Sequence, residues 1–516
     1  MLQVNQLTIS HRRDLRIIIN ELSFVLGRDD KIAIIGEEGN GKSSLIQVLA
    51  YPDDPPAYLE VQGTVHHAAP VGYLSQFISD EALGMSVYDY VTSDPRIDPT
   101  DWQKINDVAV LLRLSPDQLY QDRKIGTLSG GEKTKMQLCR MLLTDPAVLL
   151  LDEPSNDLDL ETLYGLEQFI KEDKRPILFV SHDETLIRHA ANGILHLEQI
   201  HRRKTPVWTL ARVGLDEYLT TKRDEFERQS MLAAADHRAH QARMERYRRI
   251  EQRVEHEQET ISRGNPAGGR LLKKKMHAVK SLEKRLDKEY ENRTKKPNRE
   301  EAVILFADPK IGHHEDKRIL ESRLTSLDVF DPATGKRQLA KDIELDIFGR
   351  DKICLIGRNG SGKTTLLKKI HEALLEKPDL HVSYMPQDYE EELPEHLTPV
   401  EFLAPSGRLE DRQRALDFMG SMKFEQREMQ RLIADLSGGQ KAKLFMLRFV
   451  LQGADVLVLD EPTRNFSPLS APVVRQVLRA FNGAIISVSH DRVYLKEVAT
   501  RVYELMPDGL VPVYDY

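Results

Sequence analysis

The chain has 516 residues, 40% of them hydrophobic, and no apolar run approaches the ~20 residues of a membrane helix, so we expect a cytoplasmic protein without a membrane partner. Two cysteines, Cys139 and Cys354, exclude a disulfide framework or an iron–sulfur cluster and are expected to be buried, reduced thiols. The net charge of −8 excludes a uniformly basic nucleic-acid-coating protein, and the length fits about three domains.

A phosphate-binding loop is predicted twice, each time between a strand-like run and a helix. Gly36–Ser43 and Gly357–Thr364 fit Gly-x-x-x-x-Gly-Lys-Ser/Thr, a pattern that taken alone also occurs in Gly-rich turns. Glycines let backbone amides wrap phosphates, while the lysine and the hydroxyl residue are expected to reach the outer phosphates and Mg²⁺. The predicted nucleotide-binding residues are Gly36, Gly39, Gly41, Lys42, Ser43 and Ser44, and Gly357, Gly360, Gly362, Lys363, Thr364 and Thr365.

Each loop is followed by a glutamine after a short strand-like run. Gln76 follows Val71–Ser75, and Gln387 follows Val382–Pro386. We expect both side chains to contact the nucleotide and its Mg²⁺, although glutamine is also common in surface loops.

A second anion-binding helix start is predicted in each half of the chain. Leu128–Glu132 and Leu436–Gln440 read Leu-Ser-Gly-Gly-Glu/Gln before helices expected from Lys133 and Lys441. Because one domain needs only one phosphate cradle for one nucleotide, we expect each signature to close over the ATP held by the other domain. The residues assigned to these signatures are Ser129, Gly130, Gly131 and Glu132, and Ser437, Gly438, Gly439 and Gln440.

A carboxylate pair ends an apolar run in each half. Asp152 and Glu153 follow Val148–Leu151, and Asp460 and Glu461 end the matching run. The aspartates are expected to hold Mg²⁺, directly or through water, and the glutamates to polarise the attacking water. A solvated carboxylate pair at a strand end is the alternative, but it does not account for the phosphate loop upstream.

A histidine follows each glutamate by 29 positions, and this spacing is repeated in both halves. His182 and His490 each end a β-rich run, and we expect them to contact the γ-phosphate. Serine, glutamate and histidine of the first set lie 308 positions before their counterparts in the second. A repeat that keeps register across unrelated motifs indicates a duplicated domain.

The segment between the two halves is predicted to be an antiparallel helical hairpin. Residues 216–300 contain 22 Lys/Arg and 16 Asp/Glu, so this segment is basic while the rest of the chain is acidic. No proline or glycine interrupts Asp216–Ile261, and Arg263–Gly269 is expected to break the helix. Apolar residues recur every seven positions in both arms, which is typical of coiled packing. They are Tyr247, Val254 and Ile261 in the first arm, and Leu272, Val279 and Leu286 in the second.

The predicted tip of this hairpin, at about residues 263–275, is strongly basic. Residues 261–280 contain no Asp or Glu. A solvated coiled coil is one interpretation, but clustered like charges are costly unless a polyanion neutralises them, which favours structured RNA. The predicted RNA-binding residues are Arg263, Arg270, Lys273, Lys274, Lys275 and Lys280.

Together these motifs resemble the ATP-binding cassette (ABC) ATPases with two nucleotide-binding domains in one polypeptide. The resemblance implies an α/β fold in which P-loop domains at 1–210 and 322–516 are joined by a helical-hairpin linker at 211–321. It also implies a monomer, with the two domains paired intramolecularly around two ATP molecules and Mg²⁺. Site one would join Gly36–Ser43, Gln76, Asp152, Glu153 and His182 to Ser437–Gln440, and site two would join Gly357–Thr364, Gln387, Asp460, Glu461 and His490 to Ser129–Glu132.

Two departures from the family pattern distinguish the halves. Ser155–Asp159 is close to the pattern, whereas Thr463–Ser470 lacks the usual aspartate, which indicates asymmetric communication between the sites. No clear adenine-stacking aromatic stands in His11–Leu15, while Phe330 fits that place in the second half.

The linker resembles that of the ABC-F subfamily, whose hairpin enters the exit-tRNA site of the ribosome and points at the peptidyl-transferase centre. The resemblance implies an ATP-gated ribosome binder that contacts rRNA and peptidyl-tRNA. Only about 50 residues separate Gln76 from Leu128, too few for the extra arm of some translation factors, which favours antibiotic protection. The alternatives are an ABC-F translation factor without a resistance role, an ATP-gated DNA clamp, and a transporter ATPase subunit.

Overall fold

A computed structural model describes residues 1–67, 70–76, 78–112, 114–120, 123–156, 158–199, 205–260, 266–291, 318–331, 335–422, 424 and 426–514. The chain forms two compact units, one of Met1–Leu215 with Glu300–Tyr516 and one of Asp216–Arg299. The first unit contains both halves of the duplication. Its segment Met1–Leu215 is here called repeat one, and its segment Glu300–Tyr516 is called repeat two. No helix in the described part of the chain is long and apolar enough to cross a membrane.

Repeat one is a mixed α/β domain. Its strands are β1 (Leu2–His11), β2 (Ile17–Leu26), β3 (Lys31–Ile35), β4 (Leu59–His67), β5 (Val71–Leu74), β6 (Val148–Asp152), β7 (Ile177–Val180), β8 (Gly193–Gln199) and β9 (Thr205–Ala211). Its helices are α1 (Lys42–Ala50), α2 (Asp80–Leu83), α3 (Val87–Val91), α4 (Trp102–Leu111), α5 (Pro116–Leu119), α6 (Gly130–Leu143), α7 (Leu160–Glu172) and α8 (Glu184–Ala190).

The main sheet of repeat one places the motifs at one edge. Its strand order is β5-β6-β7-β3-β8-β9, with parallel pairing except between β8 and β9. Every residue of β3, β6 and β7 is buried, as expected for apolar runs in a parallel sheet covered on both faces. Because carboxyl ends of parallel strands meet at the same edge, the segments after β3, β5, β6 and β7 converge there.

Repeat two has a main sheet of the same design, but among the described residues its smaller sheet has two strands where that of repeat one has three. Its strands are β10 (Arg318–Asp331), β11 (Gly335–Phe348), β12 (Lys352–Ile356), β13 (Val382–Met385), β14 (Val456–Asp460), β15 (Ala484–Val488), β16 (Arg501–Met506) and β17 (Gly509–Val513). Its helices are α11 (Lys363–Leu375), α12 (Pro399–Leu403), α13 (Leu409–Ser421), α14 (Gln426–Gln430), α15 (Gly438–Gln452), α16 (Ala471–Ala480) and α17 (Arg492–Glu497). The main sheet is ordered β13-β14-β15-β12-β16-β17, so the predicted duplication of an α/β domain is confirmed. The predicted boundary at residue 322 falls inside β10.

The second unit is the predicted helical hairpin. Helix α9 (Leu215–Thr260) has 46 residues, and α10 (Pro266–Glu291) has 26. Their predicted seam is buried, with Tyr247, Val254, Val279 and Leu286 in one cluster. The rings of His240 and Tyr290 stack at 3.8 Å, while Lys275 pairs with Glu257, so the arms run antiparallel.

The break between the arms is shorter than predicted. Pro266–Gly269 was expected to interrupt the helix, but α10 already begins at Pro266. Proline suits the first position of a helix because its fixed φ is helical and its missing N–H has no intrahelical partner there. The basic residues from Arg270 onward therefore lie on a helix, whereas Arg263 lies outside the described residues.

Candidate active sites between the repeats

The two phosphate loops have the same backbone design. Gly41 and Gly362 precede α1 and α11 with φ of 85° and 99°, a left-handed conformation that favours glycine. A Cβ on Gly41 would also lie 2.2 Å from Ile18 Cγ2. Lys42 Nζ donates to the carbonyl oxygen of Gly36 at 2.9 Å, and Lys363 Nζ donates to that of Gly357 at 2.8 Å. Each lysine is thus held inside the curve of its own loop.

Each signature forms the N-terminus of a long helix. Ser129 accepts from the amide of Glu132 at 3.3 Å, and Glu132 Oε2 accepts from the amide of Ser129 at 2.8 Å. This capping box, repeated at Ser437 and Gln440, starts α6 at Gly130 and α15 at Gly438. The expected helix starts at Lys133 and Lys441 are therefore three residues too late, because the glycines belong to the first turn.

A cavity of about 720 Å³ is lined by both repeats at site two. The phosphate loop and motif residues of repeat two form one side, and the signature of repeat one contributes to the other. This is the composite arrangement expected from the family resemblance. Predicted residues on the cavity wall are Ser129, Gly130, Gly360, Gly362, Lys363, Thr364, Thr365, Gln387, Asp460, Glu461 and His490.

At site one the opposing repeat contacts the phosphate loop directly. The amide of Gly439, in the signature of repeat two, donates to Glu38 Oε2. Glu37 Oε1 accepts from Ser467 Oγ at 2.8 Å. Burial of Glu37 favours its neutral form, but Lys443 and the serine hydroxyls outweigh this effect and lower its pKa. Site one therefore differs from site two in having two loop carboxylates engaged by the other repeat.

Serine or threonine and aspartate meet beneath each phosphate loop. Ser43 Oγ donates to Asp152 Oδ1 at 3.0 Å. In repeat two, the side chains of Thr364 and Asp460 are hydrogen-bonded to each other. Burial, reinforced by Glu153, raises the pKa of Asp152 to about 6. Burial also raises the pKa of Asp460, whose Oδ2 has no partner among the described residues. One hydroxyl and one carboxylate are hard oxygen donors that fit Mg²⁺ when phosphate and water supply its other ligands.

The glutamates next in sequence occupy a strained backbone position in both repeats. Glu153 and Glu461 have φ of 51° and 52°, where a non-glycine residue is uncommon. The amide of Glu153 donates to Val180 at 3.1 Å, and that of Glu461 donates to Val488 at 2.9 Å. This turn points each glutamate toward the histidine that follows the neighbouring strand.

The two glutamate–histidine pairs differ in geometry and charge. His182 Nε2 lies 3.1 Å from Glu153 Oε1, whereas His490 Nε2 lies 3.8 Å from Glu461 Oε1. Burial lowers the pKa of His182, but Glu153 outweighs it and raises the pKa, while His182 lowers that of Glu153. Burial and Asp460 raise the pKa of Glu461 to about 8. Burial and Lys363 lower the pKa of His490 to about 3. These shifts favour the charged forms of the pair at site one and the neutral forms at site two.

Further residues reach site two that no motif indicated. Val329, Arg337 and Leu339 on the β10–β11 hairpin line the cavity, as does Arg464 after β14. The sequence signal for the first three is the strand pair ahead of the phosphate loop, while Arg464 lies in the divergent segment Thr463–Ser470. The side chain of Phe330 lies outside the described residues. Gln76 is exposed after β5, while Gln387 lines the cavity.

The model of the ABC transporter family matches residues 19–156 and 340–464, which is just over half of the chain. The chain belongs to the ABC transporter family. Both matches contain a phosphate loop and the carboxylate pair that follows it. The protein is accordingly an ATPase that binds ATP and hydrolyses it to ADP and phosphate.

Similar proteins refine this assignment. The ribosome protection protein VmlR of Bacillus subtilis (strain 168) is 28% identical over 501 residues, covering 93% of this chain and 82% of VmlR. The energy-dependent translational throttle protein EttA of Haemophilus influenzae is 26% identical over 549 residues, covering 97% and 91%. Such relatives are ABC-F proteins, and this ABC ATPase is a member of that subfamily.

A solved structure shares the fold. The archaeal ribosome recycling factor aABCE1, crystallised with the stalk protein aP1, superposes with a TM-score of 0.60. The match covers 98% of this chain and 90% of that one at 17% identity, so it supports the architecture alone.

Proposed function

We propose that this ABC-F ATPase is an ATP-gated ribosome binder that protects the ribosome from antibiotics. ATP held at the two composite sites closes the repeats on each other, closure creates the ribosome-binding state, and hydrolysis releases it. The observation that carries this proposal is that a basic helical hairpin stands, along the sequence, between two acidic ATPase repeats. The names of VmlR and EttA, which connect those relatives to ribosome protection and to translation, support it.

The hairpin is proposed to bind RNA at the exit-tRNA site, with its basic end directed toward the peptidyl-transferase centre. Its partners there would be rRNA and peptidyl-tRNA. Arg270, Lys273, Lys274 and Lys280 are exposed at the start of α10, and Lys275 is exposed beside Glu257. Exposed cations on one short helical stretch gain affinity for a phosphate backbone by releasing its counter-ions.

The ATPase residues are proposed to act as follows. Lys42 and Lys363 bind the outer phosphates, and the opposing signature amides complete each phosphate cradle. Glu153 and Glu461 polarise the attacking water, while His182 and His490 contact the γ-phosphate and orient the glutamates. The lowered pKa of Glu153 favours the charged form that this task needs, whereas the raised pKa of Glu461 opposes it.

Mg²⁺ is proposed to bind Ser43 and Asp152 at site one, and Thr364 and Asp460 at site two, with Gln76 and Gln387 nearby. The metal would neutralise charge that develops on the phosphates. The Ser43–Asp152 hydrogen bond supports this assignment because it holds two oxygen ligands on one side of the site.

Translation control without a resistance role is the second candidate. It is favoured by the coverage of EttA, 91% of which matches this chain. Drug-susceptibility tests of cells that express the protein distinguish the candidates, because only protection predicts raised resistance.

Co-sedimentation with bacterial ribosomes tests the proposal. The Glu153→Gln/Glu461→Gln protein should pellet with ribosomes when ATP is present and remain in the supernatant without it. A Lys42→Ala/Lys363→Ala variant, which loses its phosphate ligands, is the matched control and should not pellet in either condition. Failure of the glutamine variant to pellet with ATP would contradict ribosome binding and favour a DNA clamp.

A further inference from the structure

Two buried ion pairs join the repeats away from the phosphate loops. Arg475 Nη1 on α16 lies 2.8 Å from Glu184 Oε1 on α8, and Arg492 Nη1 on α17 lies 2.8 Å from Glu167 Oε2 on α7. These four residues are here called the pairing clamp. Their side chains are between 2% and 7% exposed, so a like charge in place of either partner would be costly.

The clamp is related to the duplication by an exchange of charge. Glu167 and Arg475 occupy equivalent positions, 308 residues apart, and so do Glu184 and Arg492. Repeat one therefore carries a carboxylate at both positions, and repeat two carries a guanidinium at both. In each ion pair, the residue at the first of these two positions in one repeat binds the residue at the second position in the other repeat.

The counter-ions within each repeat are exchanged in the same way. His189 Nδ1 lies 2.8 Å from Glu167 Oε1 in repeat one. Glu497, 308 positions after His189, accepts from Arg475 Nε at 2.7 Å in repeat two. Each counter-ion fits the charge of the clamp residue beside it, so this third position is exchanged together with the two clamp positions. Other charged side chains against the clamp are Asp183, Arg188 and Asp491.

We infer that the pairing clamp specifies the association of unlike repeats. If repeat one met a second copy of repeat one, Glu167 would face Glu184, and repeat two meeting repeat two would set Arg475 against Arg492. Like charges in a buried contact destabilise the wrong pairing, whereas unlike repeats satisfy all four charges. Each ATP site is then always built from the phosphate loop of one repeat and the signature of the other.

Two variants of the full chain remove this complementarity. Each is expected to lose ATPase activity about tenfold or more, because every clamp contact becomes one between like charges. A Glu172→Arg/Glu376→Arg chain reverses two exposed carboxylates away from the clamp and is the matched control, expected to retain its activity. The first variant, Glu167→Arg/Glu184→Arg/His189→Glu, gives repeat one the charges of repeat two. The second variant, Arg475→Glu/Arg492→Glu/Glu497→His, gives repeat two the charges of repeat one.

Restoring complementarity is the decisive step. Mixing the two variants in equal amounts supplies opposite charges between chains, so ATPase activity should return together with a dimer mass in light scattering. A single chain with all six substitutions should regain activity as a monomer. If the mixture stays inactive and the six-substitution chain is no more active than either three-residue variant, the clamp does not select the partner and the inference is overturned. Recovery measured as ATPase activity is independent of ribosome binding.

Discussion

The imidazole Nδ1 of His182 lies 2.9 Å from the carbonyl oxygen of Phe466, so the histidine of one repeat is held by the backbone of the other. Phe466 belongs to Thr463–Ser470, the segment in which the two repeats differ in sequence. Its equivalent in repeat one is Leu158, 308 positions earlier. His490 Nδ1, by contrast, is buried without a partner among the described residues. The asymmetry of the sequence thus extends to the histidines of the two sites.

This relationship predicts unequal effects of removing the two histidines. His182→Ala loses the contact with Phe466 and removes the imidazole that stabilises the buried Glu153 carboxylate, which should cost about 1–3 kcal/mol of stability. His490→Ala removes a neutral group with one unsatisfied nitrogen and should cost less. Thermal unfolding of the two variants without nucleotide measures the difference, and equal Tm values would contradict the asymmetry.

The proposed role of the glutamates predicts a loss of turnover without a loss of ATP binding. Glu153→Gln/Glu461→Gln should lower ATPase activity about 10²–10⁴-fold, because an amide is a poor acceptor for the proton of the attacking water. Glu172→Gln, on an exposed part of α7, is the control. Phosphate release and equilibrium nucleotide binding are measured on the same samples. Parallel loss of binding would assign the glutamates to the nucleotide cradle instead of the chemistry.

Glu38 predicts a difference in nucleotide affinity between the sites. Its carboxylate accepts from the Gly439 amide, a donor that the proposal assigns to phosphate, and Asn359 is its equivalent in the second loop. Glu38→Asn should tighten ATP binding at site one by about three- to tenfold, since a competing negative charge is removed. Asn359→Glu is the reciprocal control and should weaken site two. Fluorescent-nucleotide titration of both variants measures the change, and a shift in the same direction for both would contradict this account.

Glu461 predicts a stability that falls as pH rises. Its pKa is about 8 in the folded protein against a reference of 4.5, so the folded state keeps a proton that the unfolded state loses. Its contribution is complete below pH 4.5 and is lost as pH rises through about 8. The pKa of His490 is lowered from 6.5 to about 3, so its contribution makes stability rise with pH, but only up to about pH 6.5. Between pH 6.5 and 8, Tm without nucleotide should therefore decline more steeply for the wild type than for Glu461→Gln.

The sequence predicted the parts of the sites that are local in the chain. A phosphate loop needs only a strand, eight residues and a helix, so Gly36–Ser43 was identifiable without knowledge of the fold. Arg337 and Leu339 reach site two only because the β10–β11 hairpin folds beside the phosphate loop. Arg492 and Glu167 are 325 positions apart, and no local pattern indicates that they meet.

For the hairpin, the sequence predicted which residues pack between the helices, but it did not predict where the second helix begins. Its seven-residue spacing predicted the buried seam, including Tyr247 and Val279, because periodic apolar residues have to face another helix. The glycine and proline residues of Arg263–Gly269 predicted a longer break between the two helices than the structure shows. Pro266 starts a helix instead of ending one, which depends on the position of proline within the first turn.

That helical placement sharpens the prediction for the basic cluster. Lys273→Glu/Lys274→Glu/Lys275→Glu should abolish ribosome co-sedimentation while leaving ATPase activity of the isolated protein unchanged, because these exposed side chains belong to the hairpin unit. The matched control, Lys284→Glu/Arg285→Glu/Lys288→Glu, makes the same change of charge on the same helix, where carboxylates are interspersed. It should retain most of the binding. If the two variants lose binding equally, net charge of the hairpin explains the affinity; if only the first does, the end of the hairpin recognises the RNA.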